Sequence, residues 1–218
     1  GVIPYNTLLF HSIEVGMLIE MFILALALAF NLKEVDRARL TAEVEAQIDH
    51  LTQLFNRRAF AAIVNPQWQL GVRHQHKFSM ILLDIDWFKQ INDDYGHAAG
   101  DAALKSIAGV IKQKIRKSDV LARWGGEEFI IFLPNTNKSA AMNLANVIRK
   151  MVEQTTVLHE GRLLSVTASF GVADYNEQMK SLEDLIKLAD VALYKAKNSG
   201  RNIVCEIEEI PEVKNTQA

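Results

Sequence analysis

The stretch Arg123-Trp124-Gly125-Gly126-Glu127-Glu128-Phe129 lies between two apolar runs and decides the fold. Residues 121–124 lead into it, and the run FIIFL at 129–133 leads out of it. Adjacent glycines between such runs predict a tight β-hairpin, because glycine adopts positive φ without steric cost. Carboxylates beside a backbone that a ligand can approach closely suit a metal-bound nucleotide. An ordinary solvated hairpin is the alternative interpretation.

Composition limits the class of protein. The chain has 218 residues, of which 49% are hydrophobic and 23% charged, and this balance is typical of a globular protein. A net charge of −2 gives no general basic field, so we expect no nucleic-acid partner. The single cysteine, Cys205, allows no internal disulfide and fits a reducing compartment. Because the chain begins with Gly1 rather than Met, we interpret it as a fragment of a longer protein.

The first segment, residues 1–32, contains a long apolar run at 13–32, IEVGMLIEMFILALALAFNL. Twenty mostly apolar residues suffice to span a bilayer, and the cations that follow (Lys33, Arg37 and Arg39) suit a cytoplasmic flank. Two glutamates inside the run count against burial in lipid. The segment is therefore either the end of a transmembrane region or a helix that packs on a partner chain.

The second segment, residues 33–50, mixes both charge signs and contains neither glycine nor proline. The apolar residues Leu40, Val44, Ile48 and Leu51 recur at helical spacing and form one stripe. The segment is either a solvated linker helix or a short coiled-coil stalk that pairs two chains.

Residues 51–208 have the composition of a compact domain, and residues 209–218 are expected to form a flexible tail. Irregular alternation of helices with hairpin-connected strands predicts an α+β fold with one antiparallel sheet. The predicted helices are 56–64 (ending before Pro66), 88–94, 98–115, 139–153 and 182–197, and the predicted strands are 79–85, 121–124, 129–133, 163–172 and 202–207.

Carboxylates mark the end of the buried strand SMILLDI. Asp84 and Glu127 would supply hard oxygen ligands for Mg²⁺ if their strands were neighbours. The alternative is that Asp84 or Asp86 caps the following helix.

Two further pairs suit a nucleotide. Asn92 and Asp101 offer an amide and a carboxylate for the Watson–Crick edge of guanine, although they also suit a turn and a helix cap. Lys197 and Arg201, near Lys195 at a helix end, suit phosphates or simply answer the helix dipole.

Together these motifs resemble the GGDEF domain of bacterial diguanylate cyclases, from about residue 49 to residue 207. The motifs that carry the resemblance are DHLTQLFNRRAF (49–60), LLDIDWFKQINDDYGHAAGD (82–101), RWGGEEF (123–129), SVTASFGVA (165–173) and ADVALYKAKNSGRN (189–202).

The resemblance implies a nucleotidyl-cyclase-like fold with a ferredoxin-like core, an antiparallel sheet flanked by helices, here preceded by a long N-terminal helix. It implies condensation of two GTP into cyclic di-GMP with release of two pyrophosphates, across a homodimer that pairs through the stalk and the catalytic domains. The implied metal is Mg²⁺, with Mn²⁺ as the alternative. The implied location is the cytoplasm, with an anchor in the bacterial inner membrane upstream of the stalk, as in the final helix of seven-helix membrane sensors.

The resemblance also implies roles for individual residues. The metal ligands would be Asp84, the Ile85 carbonyl, Glu127 and Glu128, and Glu128 would also activate the 3′-hydroxyl. The groups implied for GTP are Asn92 and Asp101 on guanine, Phe88, Lys89, Lys197 and Arg201 on the triphosphate, and Gly125 and Gly126 against the nucleotide.

The motif Arg116-Lys117-Ser118-Asp119 has the family's spacing for an inhibitory site, in which Arg116 and Asp119 would bind the product cyclic di-GMP. By composition alone it is a polar helix end. Two rival functions remain: a non-catalytic receptor that binds cyclic di-GMP through these residues, and a scaffold that only pairs through residues 13–50. The adjacent glutamates Glu127 and Glu128 argue against the receptor, which has no need of metal ligands, and the scaffold leaves the nucleotide-binding residues without a use.

Overall fold

The computed structural model describes residues 16–18, 20–34 and 47–207. The chain divides into two compact units, Gly1–Ala46 and Gln47–Ala218. Parts of three sequence predictions lie outside the described residues: the start of the apolar segment (1–15), most of the stalk (35–46) and the tail (209–218).

The first unit contains helix α1, Gly16–Glu34. Its mean hydropathy is 1.8, and it is long and apolar enough to cross a membrane. None of its apolar window is buried within the protein, so the helix leaves a large apolar surface for a membrane or a partner chain.

The second unit alternates helices and strands. Its helices are α2 (Arg57–Arg73), α3 (Phe88–Tyr95), α4 (His97–Lys112), α5 (Lys138–Gln154) and α6 (Leu182–Asn198). Its strands are β1 (Phe55–Asn56), β2 (Phe78–Ile85), β3 (Val120–Arg123), β4 (Glu128–Pro134), β5 (Thr156–His159), β6 (Arg162–Ser165), β7 (Ala168–Asp174) and β8 (Val204–Glu206).

The main sheet has the strand order β1-β3-β4-β2-β7-β8. Its four central strands pair antiparallel, as the sequence predicts. The short edge strands β1 and β8 run parallel to their neighbours, so the whole sheet is mixed. Strands β5 and β6 form a separate hairpin.

Helices cover both faces of the sheet. Along β2, Ile81 and Leu83 belong to the core that includes α4 and α5, whereas Met80 and Leu82 belong to the core that includes α2 and α6. Successive side chains of a strand point to opposite faces, so a strand buried on both sides is an unbroken apolar run. This burial fixes the end of β2, where Asp84 lies, beside the start of β4.

The prediction that the first helix of the domain ends before Pro66 is wrong, because α2 continues to Arg73. Proline inside a helix removes one hydrogen bond and costs about 3 kcal/mol. Burial beyond the proline offsets this cost. The Trp68 ring packs 5.8 Å from the ring of Phe78 and 5.1 Å from that of Tyr175, measured between centroids.

Two other boundaries differ from prediction. The helical stalk was expected to reach residue 50, but residues 47–50 form turns and a bridge between Ile48 and Phe55, and the amide of Asn56 donates to the carbonyl of Gln47. The predicted strand 163–172 is two strands, β6 and β7, and β6 pairs with the unpredicted β5.

Candidate active site

The predicted carboxylates lie where β2 and β4 meet. Asp84 pairs across the sheet with Glu128 rather than with Glu127. The amide of Ile85 donates to the carbonyl of Glu127 over 3.4 Å. Directly opposed residues of an antiparallel pair share a face, so the Asp84 and Glu128 side chains lie on the same face of the sheet. The strand that ends beside Asp84 and the strand that follows Glu127 are therefore neighbours, which is the condition that the sequence analysis set for a shared metal ion.

The electrostatics of this corner favour a cation. Asp84 is only 5% exposed. Burial raises the pKa of Asp84 from 3.8 to about 6; Lys197 opposes this rise, and the charges of Glu127 and Glu128 add to it. Burial also raises the pKa of Glu128. Carboxylates are hard oxygen donors, and a divalent cation would relieve the repulsion between those gathered here, so this donor set fits such an ion.

The cation that contacts Asp84 in this structure is Lys197. Its Nζ lies 2.7 Å from Asp84 Oδ2, and the Lys197 side chain is half-buried. The sequence placed Lys197 on the triphosphate of a nucleotide. Among the described residues, no group of three His, Cys, Asp or Glu side chains is already arranged to hold a metal ion.

The hairpin does not use its glycines as predicted. Neither Gly125 nor Gly126 has positive φ, so the tight two-glycine turn is wrong. The loop spans four residues, and the amide of Trp124 donates to the carbonyl of Glu128 over 2.8 Å. A Cβ on Gly125 would lie 3.1 Å from Glu128 Oε2, whereas a Cβ on Gly126 would meet open space. The glycines therefore leave room for the Glu128 carboxylate and for an approaching ligand.

An arginine of the same motif holds the loop. Arg123 donates to the carbonyl of Gly126 from Nε at 3.1 Å and from Nη2 at 2.6 Å. Its Nη1 donates to both oxygens of Asp49, at 3.2 and 3.1 Å. Burial alone would raise the pKa of Asp49, but hydrogen bonds from Thr52 and the charge of Arg123 outweigh burial and hold this pKa below its usual value. The start of the domain is thus tied to the hairpin.

The predicted guanine-binding residues come together on two consecutive helices. Asn92 lies in α3 and is half-buried, and Asp101 is exposed in α4. A Cβ at Gly100 would overlap the Asn92 amide, so this glycine lets the Asn92 side chain approach α4 next to Asp101. Gly96, with φ +83°, makes the sharp break between the helices. Asp101 lies inside α4 and Asn92 inside α3, so Asp101 is not the cap and Asn92 is not the turn residue that the alternative interpretation expected.

Sequence reasoning missed a cluster of polar groups around Asp86. Asp86 does not cap α3; it accepts hydrogen bonds from Thr167 Oγ1 at 2.8 Å, Ser169 Oγ at 2.6 Å and the Asn202 amide at 3.0 Å. Trp87 precedes Phe88 and Lys89, which open α3. A second aspartate directly after a buried strand was the only signal for this cluster.

A cavity of about 480 Å³ adjoins the hairpin on the side of α2 and α6. The guanidinium carbon of Arg57 lies 4.3 Å from the centroid of the Trp124 ring, and Phe60 packs edge-on against that ring at 5.7 Å. Burial raises the pKa of Glu128 most, and the charge of Lys197 opposes this rise. Smaller effects come from the charge of Asp190, which raises this pKa, and from that of Arg57, which lowers it. The sequence indicated no role for these residues, which come together only in the fold.

The predicted inhibitory residues lie apart from the carboxylates, at the opposite end of β3 from the hairpin. The Arg116 amide donates to Asp119 Oδ2 over 2.8 Å, and the Asp119 amide donates back to the Arg116 carbonyl over 3.1 Å. The Arg116 side chain is exposed. The turn thus presents a guanidinium and a carboxylate on one rigid loop.

Comparison with known proteins identifies the domain. Residues 46–203 match the family described as diguanylate cyclase, GGDEF domain. Diguanylate cyclase A of Treponema denticola is 49% identical over 126 residues, which cover 58% of this chain and 34% of that protein. Diguanylate cyclase DgcM of Escherichia coli K12 is 39% identical over 181 residues, which cover 83% of this chain and 43% of that protein. The chain thus spans less than half the length of these relatives.

Solved structures agree with this match. The coiled coil and GGDEF domain of DgcB from Caulobacter crescentus, in complex with c-di-GMP, gives a TM-score of 0.75 at 30% identity, over 84% of this chain and 98% of that one. The active GGEEF domain of a diguanylate cyclase from Vibrio cholerae gives 0.68 at 34% identity, over 72% of this chain and all of that one. Family match, relatives and fold agree with the geometry of the carboxylate corner, and this chain belongs to the diguanylate cyclase GGDEF-domain family.

Proposed function

We propose that this chain is a diguanylate cyclase that joins two GTP molecules into cyclic di-GMP and releases two pyrophosphates. The observation that carries the proposal is the corner formed by Asp84, Glu127 and Glu128 beside Lys197, in a domain whose relatives are named diguanylate cyclases. A receptor that only binds cyclic di-GMP would not need a buried carboxylate with a raised pKa at this place. The enzyme is therefore the favoured function.

Members of this family depend on a divalent metal ion. We assign Mg²⁺, with Mn²⁺ as the alternative, to Asp84, the Ile85 carbonyl, Glu127 and Glu128. When bound, such an ion activates the attacking hydroxyl and stabilises charge on the α-phosphate. Asp84 is itself shielded from water by burial, and the absence of a side chain at Gly125 leaves room for the Glu128 carboxylate.

The reaction consists of two equivalent transfers. In each one, the 3′-oxygen of one GTP forms a bond to the α-phosphorus of the other, and the bond from that phosphorus to the pyrophosphate oxygen breaks. The 3′-hydroxyl proton must be removed as the oxygen attacks. We assign Glu128 to this activation or to positioning the metal, because burial raises its pKa and so makes it a better proton acceptor.

Binding groups surround the corner. We assign the guanine edge to Asn92 and Asp101, which the close packing at Gly100 makes neighbours. We assign the triphosphate to Lys197 and Arg201 and to the backbone of Phe88 and Lys89, and the open face of Gly125 and Gly126 to the nucleotide. Phe88 and Lys89 open α3, which follows the strand that contains Asp84, and Lys197 lies in the last turn of α6.

One domain supplies one half-site, so the product requires two domains whose GTP molecules face each other. We propose a homodimer that pairs through the stalk and the catalytic domains, which makes bond formation effectively intramolecular. The GGDEF domain is cytoplasmic. The length and hydropathy of α1 support a further proposal, that residues upstream of the stalk anchor the protein in the bacterial inner membrane.

We also propose that Arg116 and Asp119 bind the product and inhibit the enzyme. Their shared turn presents a guanidinium suited to phosphate or guanine and a carboxylate suited to guanine. Because the turn and the hairpin lie at opposite ends of β3, product can bind there without occupying the carboxylate corner.

The experiment that tests the main proposal is incubation of the chain with GTP and Mg²⁺, followed by chromatography for cyclic di-GMP. Glu128→Gln should lower synthesis about 100-fold or more, because the amide can neither accept the proton nor bind metal as a carboxylate does. Glu177→Gln, at an exposed glutamate in a loop, is the matched control and should leave synthesis unchanged.

Normal turnover by Glu128→Gln, with its thermal unfolding unchanged, would remove Glu128 from the catalytic groups. Absence of product from the unsubstituted chain, at high protein concentration and after bound cyclic di-GMP has been removed, would favour the receptor instead.

A further inference from the structure

Two turns meet beside the Asp84–Lys197 ion pair. One follows β2 and contains Trp87, and the other follows α6 and contains Arg201. The guanidinium carbon of Arg201 lies 3.9 Å from the centroid of the Trp87 ring, which is cation–π geometry. Trp87 is 60% exposed, so burial of apolar surface does not explain why a tryptophan occupies this position.

Both turns adopt a backbone conformation that these residues disfavour. Trp87 has φ 59° and ψ 25°, and Arg201 and Asn202 have φ 61° and 46°. Left-handed φ is unfavourable for bulky side chains, and such conformations persist where the surroundings dictate them, often at functional sites. Gly200, with φ +111°, begins the second turn and permits its sharp reversal.

A buried carboxylate dictates the conformation. Asp86 is 3% exposed and accepts hydrogen bonds from the Asn202 amide and from the hydroxyls of Thr167 and Ser169. It therefore anchors the backbone next to Arg201 to the end of β2 and the start of β7, while its neighbour Trp87 contacts the Arg201 guanidinium itself.

We propose that Trp87, anchored through Asp86, is a positioning residue that holds the Arg201 guanidinium ready for the triphosphate of GTP. A cation–π contact uses the face of the guanidinium and leaves its N–H donors available for phosphate oxygens. Holding a long side chain in place before the ligand arrives reduces the entropy lost on binding. The inference rests on the proposed function, because it takes Arg201 as a phosphate ligand.

The test compares Trp87→Ala, Trp87→Phe, Arg201→Ala and the double variant in the full chain, using initial rates of cyclic di-GMP formation. Trp87→Ala should raise KM for GTP about two- to tenfold with kcat within about twofold, and Trp87→Phe should restore most of the loss. The double variant should be no worse than Arg201→Ala, because the tryptophan acts through the arginine. Tyr194→Ala, at an aromatic residue of α6 that is 68% exposed, should not change KM.

An unchanged KM in Trp87→Ala would overturn the proposal that Trp87 positions Arg201. So would a double variant in which the rise in KM equals the product of the rises in the two single variants. Binding of a GTP analogue with a methylene bridge between the α- and β-phosphorus atoms, measured by calorimetry, separates this failure from failure of the proposed function. If the unsubstituted chain binds the analogue but makes no cyclic di-GMP, the cyclase proposal fails. The role of Trp87 is then tested by the analogue Kd, which Trp87→Ala should raise about two- to tenfold. If it binds no analogue, both proposals fail.

Discussion

Replacing Asp84 with asparagine should stabilise the metal-free protein at neutral pH while removing its response to metal. The rise in the pKa of Asp84 from 3.8 to about 6 corresponds to about 3 kcal/mol by which the folded state disfavours the ionised carboxyl. Asparagine is a neutral isostere and avoids this cost. The attraction of Lys197 is already contained in this value, because it lowers the same pKa. We therefore expect a gain of about 3 kcal/mol, or about 6–12 °C in Tm for a domain of this size.

The pH dependence has a definite sign. Because the pKa is raised in the folded state, the folded protein holds this proton more tightly than the unfolded chain between pH 3.8 and about 6. The contribution of Asp84 to stability therefore falls as pH rises through this window. The gain from Asp84→Asn should be complete above about pH 7 and vanish below about pH 4, in denaturant titrations with a chelator present.

Addition of Mg²⁺ should reverse the order of stability. A metal that binds only the folded protein stabilises it by about 4.1 kcal/mol at 1,000 times its Kd, which exceeds the gain from the substitution, and Asp84→Asn should lose most of this stabilisation. Asp94→Asn, at an exposed aspartate of α3, is the matched control and should change stability by less than about 0.5 kcal/mol at every pH. A variant less stable than the parent chain at both pH 7.5 and pH 4 would refute the reasoning, because it would show that pairing with Lys197 outweighs burial.

Two other predictions concern regulation. Arg116→Ala should relieve product inhibition with little change in the initial rate, since the exposed guanidinium is the proposed contact for cyclic di-GMP. Inhibition curves with added cyclic di-GMP measure this, and Lys117→Ala at the neighbouring residue is the control. Unchanged inhibition would show that the turn has no role in it. If the stalk drives pairing, deletion of residues 1–45 should lower the specific activity at low protein concentration and leave it unchanged at high concentration. The specific activity measured across a dilution series checks this. An unchanged concentration dependence would exclude that role of the stalk.

The sequence predicts the fold where its patterns are long. The apolar run at 79–85 and the amphipathic segments predicted the central strands and the flanking helices, because burial on one or two faces produces a recognisable pattern of apolar residues. Very short elements contain too few residues to show such a pattern. The edge strand β1 has two residues, and the parallel pairing of β8 depends on the path of α6 rather than on its own composition. Tertiary burial likewise explains why α2 continues through Pro66.

Sequence patterns locate the candidate site where residues beside a strand carry the chemistry. Asp84 and Glu127 were predicted to share a metal ion if their strands were neighbours, and the antiparallel register makes Glu128 the direct partner of Asp84. The contact between Trp87 and Arg201 joins residues 114 positions apart in turns with left-handed backbone, for which no local pattern exists. Lys197 was recognised as a cation at a helix end, but the sequence does not show that the carboxylate of Asp84 is its partner in the structure.

The hairpin shows most clearly why its motif alone was insufficient. Two glycines suggested a turn stabilised by its own backbone, yet neither has positive φ. The Gly126 carbonyl is held instead by Arg123, and Arg123 is oriented by Asp49, which lies 74 positions earlier at the start of the domain. Because Arg123 and Asp49 support the loop from one side, the loop needs no packing against Gly126, and a Cβ there would meet open space. The backbone beside the two glutamates therefore stays accessible while residues outside the motif maintain its conformation.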